Sequence, residues 1–154
     1  MTFFTDMKTA IEDYPSTGLD LSIVDLAVQA PGTGPAINTR EIWAFQVRIA
    51  NHGFLNLTEL QLHVTGLNDV LVSTSATGPW SSGLYFGSLT VNAGSTQDTV
   101  NLFFKAPASS KPAGSDLVNA HVNDFKVNLN HLLNDFGSHS TSPAAVYSAQ
   151  VYPS

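Results

Sequence analysis

Apolar and polar residues alternate along most of the chain, regularly enough to place strands. Trp43, Phe45, Val47 and Ile49 share one face of a run while Ala44, Gln46, Arg48 and Ala50 occupy the other, the period of two that a half-buried strand requires. Leu60, Leu62 and Val64 repeat the pattern against Glu59, Gln61, His63 and Thr65. One face of each run is polar, so antiparallel strands are predicted; parallel strands are buried on both faces. The two runs face each other across Asn51-His52-Gly53 and read as a hairpin-like pair.

Upstream, Leu19, Leu21 and Ile23 alternate with Asp20 and Ser22, the period slips at Val24, and it resumes through Val28. Such a slip predicts a bulge or a strand that changes sheets. The stretch from Gln29 to Arg40 holds two Pro and two Gly and reads as a turn-rich loop. Further strands are predicted around Tyr85 to Val91, from Thr99 to Lys105, through Val118, Ala120 and Val122, and over the final "AAVYSAQVY". Roughly seven or eight short strands separated by Gly and Pro are the pattern of a β-sandwich. No internal repeat aligns at a fixed period, which disfavours a solenoid or propeller.

Two stretches change period. Met7, Ala10, Ile11 and Tyr14 fall at i, i+3, i+4 and i+7 before Pro15, a stripe that predicts a short helix between Thr5 and Tyr14. That helix reads as a cap over one end of the domain or as a docking element for a partner. Between Asn128 and Ser142, Leu129, Leu132, Leu133 and Phe136 repeat the spacing and Gly137 stands where a C-cap would. A short helical insertion before the last strand is predicted there, and its four apolar residues are the candidate interface, facing either this domain or a neighbour.

The segment "FQVRIANHGFLNLTELQLHV" resembles the second and third strands of Ig-like bacterial modules of the cell-adhesion-related (CARDB) type. The matching residues are Val47, Ile49, Asn51, Gly53, Leu60, Leu62 and Val64. "GSLTVNAGSTQDTVNLFFKAP" looks like the later half of such a module. The resemblance runs from Leu19 to about Val122, and the N-terminal helix and the 128–142 segment are additions to it. It implies an all-β fold, an Ig-like antiparallel β-sandwich, expected over residues 19–154; the stripe from Met7 to Tyr14 puts a helical extension at 1–18 before it. Such modules serve adhesion, spacing, sugar binding or particle assembly, and the fold does not choose among these.

Composition narrows the chemistry. The 154 residues suit one domain able to bury a core without staples. Charged residues are 12% of the chain, so its surface is largely neutral and polar. The net charge of −6 comes from scattered carboxylates, and no basic cluster appears among the six Lys and Arg. A nucleic-acid partner is therefore not expected. With no cysteine, disulfides and thiolate chemistry are absent. Neither a signal peptide nor a membrane-length apolar run is visible, so no membrane partner is expected and the compartment stays open, an extracellular or virion surface included.

Candidate chemistry is thin. The histidines at 52, 63, 121, 131 and 139 show neither a His-x-x-x-His pair nor a Glu-flanked one, and Asn68-Asp69 and Asn134-Asp135 are single pairs rather than dense runs of hard oxygens. No metal or other cofactor is expected. The many serines lack a Gly-x-Ser-x-Gly elbow, so no catalytic residue is assigned and an enzyme is not expected. The loop "SATGPWSSGLYFG" carries the candidate binding residues Trp80, Tyr85 and Phe86, aromatics able to stack on sugar rings or anchor an interface unless Trp80 folds back as a core plug. Asn56-Leu57-Thr58 is a glycosylation sequon, relevant only to a chain that crosses a eukaryotic secretory pathway. The expected function is a non-enzymatic structural or protein-interaction module within a larger assembly such as a particle, phage or surface structure. Its partner is a protein or a second copy, and the alternative is a carbohydrate-binding sandwich using the aromatic loop.

Overall fold

Val47 and Ile49 are completely buried while Arg48 between them is exposed, so the alternation read from the chain reports a real inner and outer face. The structure, a computed structural model, describes residues 19–30, 36–53, 55–127 and 144–153. Its strands are β1 (Leu19–Ala30), β2 (Ile37–Asn38), β3 (Ile42–Asn51), β4 (Leu57–Gly66), β5 (Leu71–Ser73), β6 (Gly83–Val91), β7 (Thr96–Asp98), β8 (Leu102–Lys105), β9 (Asp116–Val127), β10 (Ala144–Ser148) and β11 (Val151–Tyr152). Sheet I has the order β1-β3-β8-β5, with β7 also on β3, and sheet II the order β10-β9-β4-β6. Every pairing in both is antiparallel. A small parallel pair, β11 with β2, stands apart from them.

The inner faces of the two sheets share one core. Phe45 and Phe104 of sheet I pack with ring centroids 6.1 Å apart, and Phe104 meets Tyr147 of sheet II at 6.2 Å. Leu60, Leu62, Val64, Val122 and Phe125 of sheet II are fully buried in the same cluster. The slip expected after Val24 is present, as a register shift between Val24 and Ala27 in the β1–β3 ladder.

The expected fold class needs correction. No helix occurs among the described residues, so the architecture they form is strands alone. The predicted helices at 5–14 and 128–142, with the extension 1–18 and the interface residues Leu129, Leu132, Leu133 and Phe136, lie outside the described residues. Helices shorter than ~12–15 residues owe most of their stability to packing, which a stripe about two turns long does not specify.

The hairpin-like pair is corrected too, since β3 belongs to sheet I and β4 to sheet II. Asn51 is the reason. Its side chain is buried, Nδ2 donates to Leu55 O at 2.7 Å and to Val91 O at 3.0 Å, and Oδ1 accepts Gly53 N–H at 3.1 Å. Its backbone carbonyl also accepts Gly94 N–H at 2.9 Å. These bonds pin the end of β3 to the loop that leads into β4 and to the end of β6, so the chain crosses between layers where a turn would have doubled it back. The buried amide thus finds its partners at the crossing, as a buried polar group must.

The strand expected from Thr99 to Lys105 is shortened to β8, and a separate piece, β7, precedes it across a break at Thr99. At the break Thr99 Oγ1 accepts Val47 N–H at 3.0 Å while Thr99 N–H donates to Val47 O at 3.0 Å. A side-chain oxygen replaces a ladder carbonyl, so both pieces stay on β3.

Candidate functional site

Strand pairing assembles a row of rings on the outer face of sheet II. Tyr85 of β6 pairs with His63 of β4, and His63 pairs with His121 of β9. The two imidazoles stack with centroids 5.0 Å apart and planes 10° from parallel, and Tyr85 leans on His63 at 5.0 Å and 56°. Cross-strand neighbours at this spacing interact directly. Tyr85 is 55% exposed and its ring lies along its own strand over Gly87, where an added Cβ would stand 2.7 Å from the Tyr85 hydroxyl. Glycine there leaves room for the ring to lie flat. Burial, and then the charge of neighbouring His63, hold the His121 imidazole below its ordinary pKa, so the row is favoured with at least one ring neutral.

Strand β6 ends sheet II, and its sequence GLYFGSLTV has no charged residue and no proline. Among the described residues two other sheet ends are covered. On the free side of β5, Val72 N–H donates to Ser81 O at 2.8 Å and Ser81 N–H to Val72 O at 3.0 Å, so the 74–82 loop closes that end of sheet I. At the far end of sheet II, β10 lies against β1. Charge, proline and covering loops are the usual protections of an edge, and β6 carries neither of the first two.

The three aromatics singled out in the sequence go to three places. Phe86 faces inward, half-buried against the core, while Tyr85 faces out. Trp80 is half-buried, with Lys105 Nζ 5.9 Å from its ring centroid, a cation–π contact that occupies one face of the indole. The histidine pair was missed because only the register of β4 on β9 brings positions 63 and 121 together. Each does fall on the polar phase of its own strand, which was the available signal. Among the described residues no three His, Cys, Asp or Glu side chains gather as metal ligands, and no helix is long and apolar enough to cross a membrane.

No family model and no curated protein sequence matches the chain. Solved structures similar to it include the CARDB domain of a Pyrococcus furiosus protein in complex with di-metal ions, at 10% identity and a TM-score of 0.44 over 86% of each chain. The PapD-like domain 7 of human CEP192 is similar at 16% identity and a TM-score of 0.37, over 91% of this chain and 89% of that one. The bacterial hydrophobin BslA is similar at 11% identity and a TM-score of 0.36, over 89% and 95%.

Proposed function

We propose that this chain is a non-enzymatic interaction module that pairs its β6 edge with a strand of a neighbouring subunit in a larger assembly. The observation that carries the reading is the edge itself: nine residues from Gly83 to Val91, at the end of sheet II, with neither charge nor proline. An added strand would gain main-chain hydrogen bonds along β6, and Tyr85 would supply a rigid aromatic anchor beside them. The low charge of the chain, 12% of residues, suits contacts made by backbone and neutral side chains rather than by ion pairs.

The test places lysines at exposed Ser88 and Thr90, the residue by which natural edges resist pairing. In size-exclusion chromatography with light scattering, the wild type is expected to run heavier than its 16.4 kDa monomer mass and Ser88→Lys/Thr90→Lys as a monomer. A wild type that is monomeric at every concentration, or a double variant with unchanged mass, counts against the reading.

A second reading rests on the exposed Tyr85 ring and its two imidazole neighbours, a platform on which a sugar could stack. Glycan-array binding that disappears in Tyr85→Ala while the oligomeric mass is retained favours it.

A further inference from the structure

We infer that a second site, on the sheet I side of the molecule and independent of β6, binds an acidic peptide segment that presents a carboxylate beside an aliphatic side chain. The site is a cleft of about 360 Å³ lined in part by Arg40, Asp69, Leu71, Lys105, Ala106 and Pro107.

Charge is concentrated at this cleft. The chain has six Lys and Arg and a net charge of −6, yet Arg40 and Lys105 stand on the cleft wall and Lys111 Nζ reaches Asp69, a third lining residue, at 3.1 Å. The Asp69 carboxylate is thereby already held by Lys111. Among the described residues Arg40 and Lys105 have no carboxylate partner. Two unpaired cations facing one cavity in an otherwise acidic molecule raise the local concentration of anions, and a guanidinium can grip a carboxylate through two parallel hydrogen bonds.

The backbone is committed to this arrangement. Arg40 adopts φ +65° and Asp69 φ +68°, a left-handed conformation that asparagine and aspartate tolerate and arginine seldom enters. Arg40 is held there by its own N–H on Pro107 O at 3.1 Å and by Thr39 N–H on Tyr152 O at 3.0 Å. Strained residues that the surroundings over-determine cluster at functional sites. Lys105 is placed as well, because the Trp80 ring holds its ammonium at 5.9 Å. The rest of the lining selects the ligand. Leu71, Ala106 and Pro107 offer apolar surface and no hydroxyl or amide side chain, so a saccharide would leave its hydroxyls without partners, whereas an aliphatic side chain next to a carboxylate is matched at both ends.

The test is fluorescence anisotropy with three fluorescein-labelled probes: a blocked hexapeptide of alternating Glu and Leu, its Gln-Leu counterpart, and an oligogalacturonate. Saturable binding of the Glu-Leu peptide is expected, weakened about tenfold by Arg40→Gln and by Lys105→Gln and about tenfold for the Gln-Leu peptide. Arg48→Gln, which removes a cation already held by Asp98 at 2.9 Å, is expected to leave binding unchanged, and unaltered circular dichroism shows each variant folded. No saturable binding, equal affinity for the Gln-Leu peptide, an equal loss in Arg48→Gln, or tighter binding of the oligogalacturonate would each overturn the assignment.

Discussion

His63 and His121 stack as neighbours, and two imidazolium charges 5.0 Å apart would repel. Burial and the neighbouring ring both depress the His121 pKa in the folded protein, whereas in the unfolded chain it titrates at its ordinary value. Between those two values the unfolded state binds more protons. Stability is therefore fully present above the ordinary imidazole value and falls as pH drops through the window beneath it. Denaturant melts at about pH 7.5 and about pH 5.5, on either side of an unperturbed imidazole, are expected to show the lower midpoint at the acid pH. His121→Asn should shrink that difference. An unchanged difference in the variant would place the acid sensitivity elsewhere, but not at Asp98. The Arg48 guanidinium lowers that carboxyl below its usual range, so its contribution is present above the ordinary carboxylate value and is lost only as pH falls further, through the lowered one.

A strand reports its faces through side chains and its neighbours through the backbone. Phe45→Ala on the inner face of β3 is expected to cost ~3–5 kcal/mol through lost burial and a cavity. Gln46→Ala, one residue on, should cost about 1 kcal/mol, because Gln46 Nε2 donates to Thr99 O at 3.0 Å and that bond is lost. Equal denaturant midpoints for the two variants would contradict the facing. The facing was legible from alternation alone: Phe45, Val47, Ile49, Leu60, Leu62 and Val64 are all buried. Sheet membership was not, because alternation records which side of a strand is covered and is silent about what covers it. Asn51-His52-Gly53 therefore read as a turn, whereas the buried Asn51 amide ties β3 to the loop before β4 and to the end of β6. Strands of two or three residues, such as β2, β5, β7 and β11, are too short to show a period. At the candidate site, an outward Tyr85 and an inward Phe86 follow from period two, while the Tyr85-His63-His121 row depends on long-range register, to which local pattern is blind.

At the scale of the whole molecule, closure is completed by two residues. Val151 is 1% exposed, pairs with Ile37 in the parallel ladder and exchanges hydrogen bonds of 2.9 and 3.0 Å with Lys111, while Tyr152 O accepts Thr39 N–H. Deleting residues 151–154 removes these bonds and one buried aliphatic side chain, an expected loss of about 3–5 kcal/mol from burial and hydrogen bonding together. Thermal unfolding of the shortened chain against the full one measures it, and an unchanged Tm would show that the β2–β11 pair is dispensable. The same pair has a meaning in time. A ribosome makes β2 long before β11, so the pairing of Ile37 and Asn38 with Val151 and Tyr152 must wait through the synthesis of both sheets. The turn that carries Arg40 is consequently among the last pieces of the nascent chain to settle.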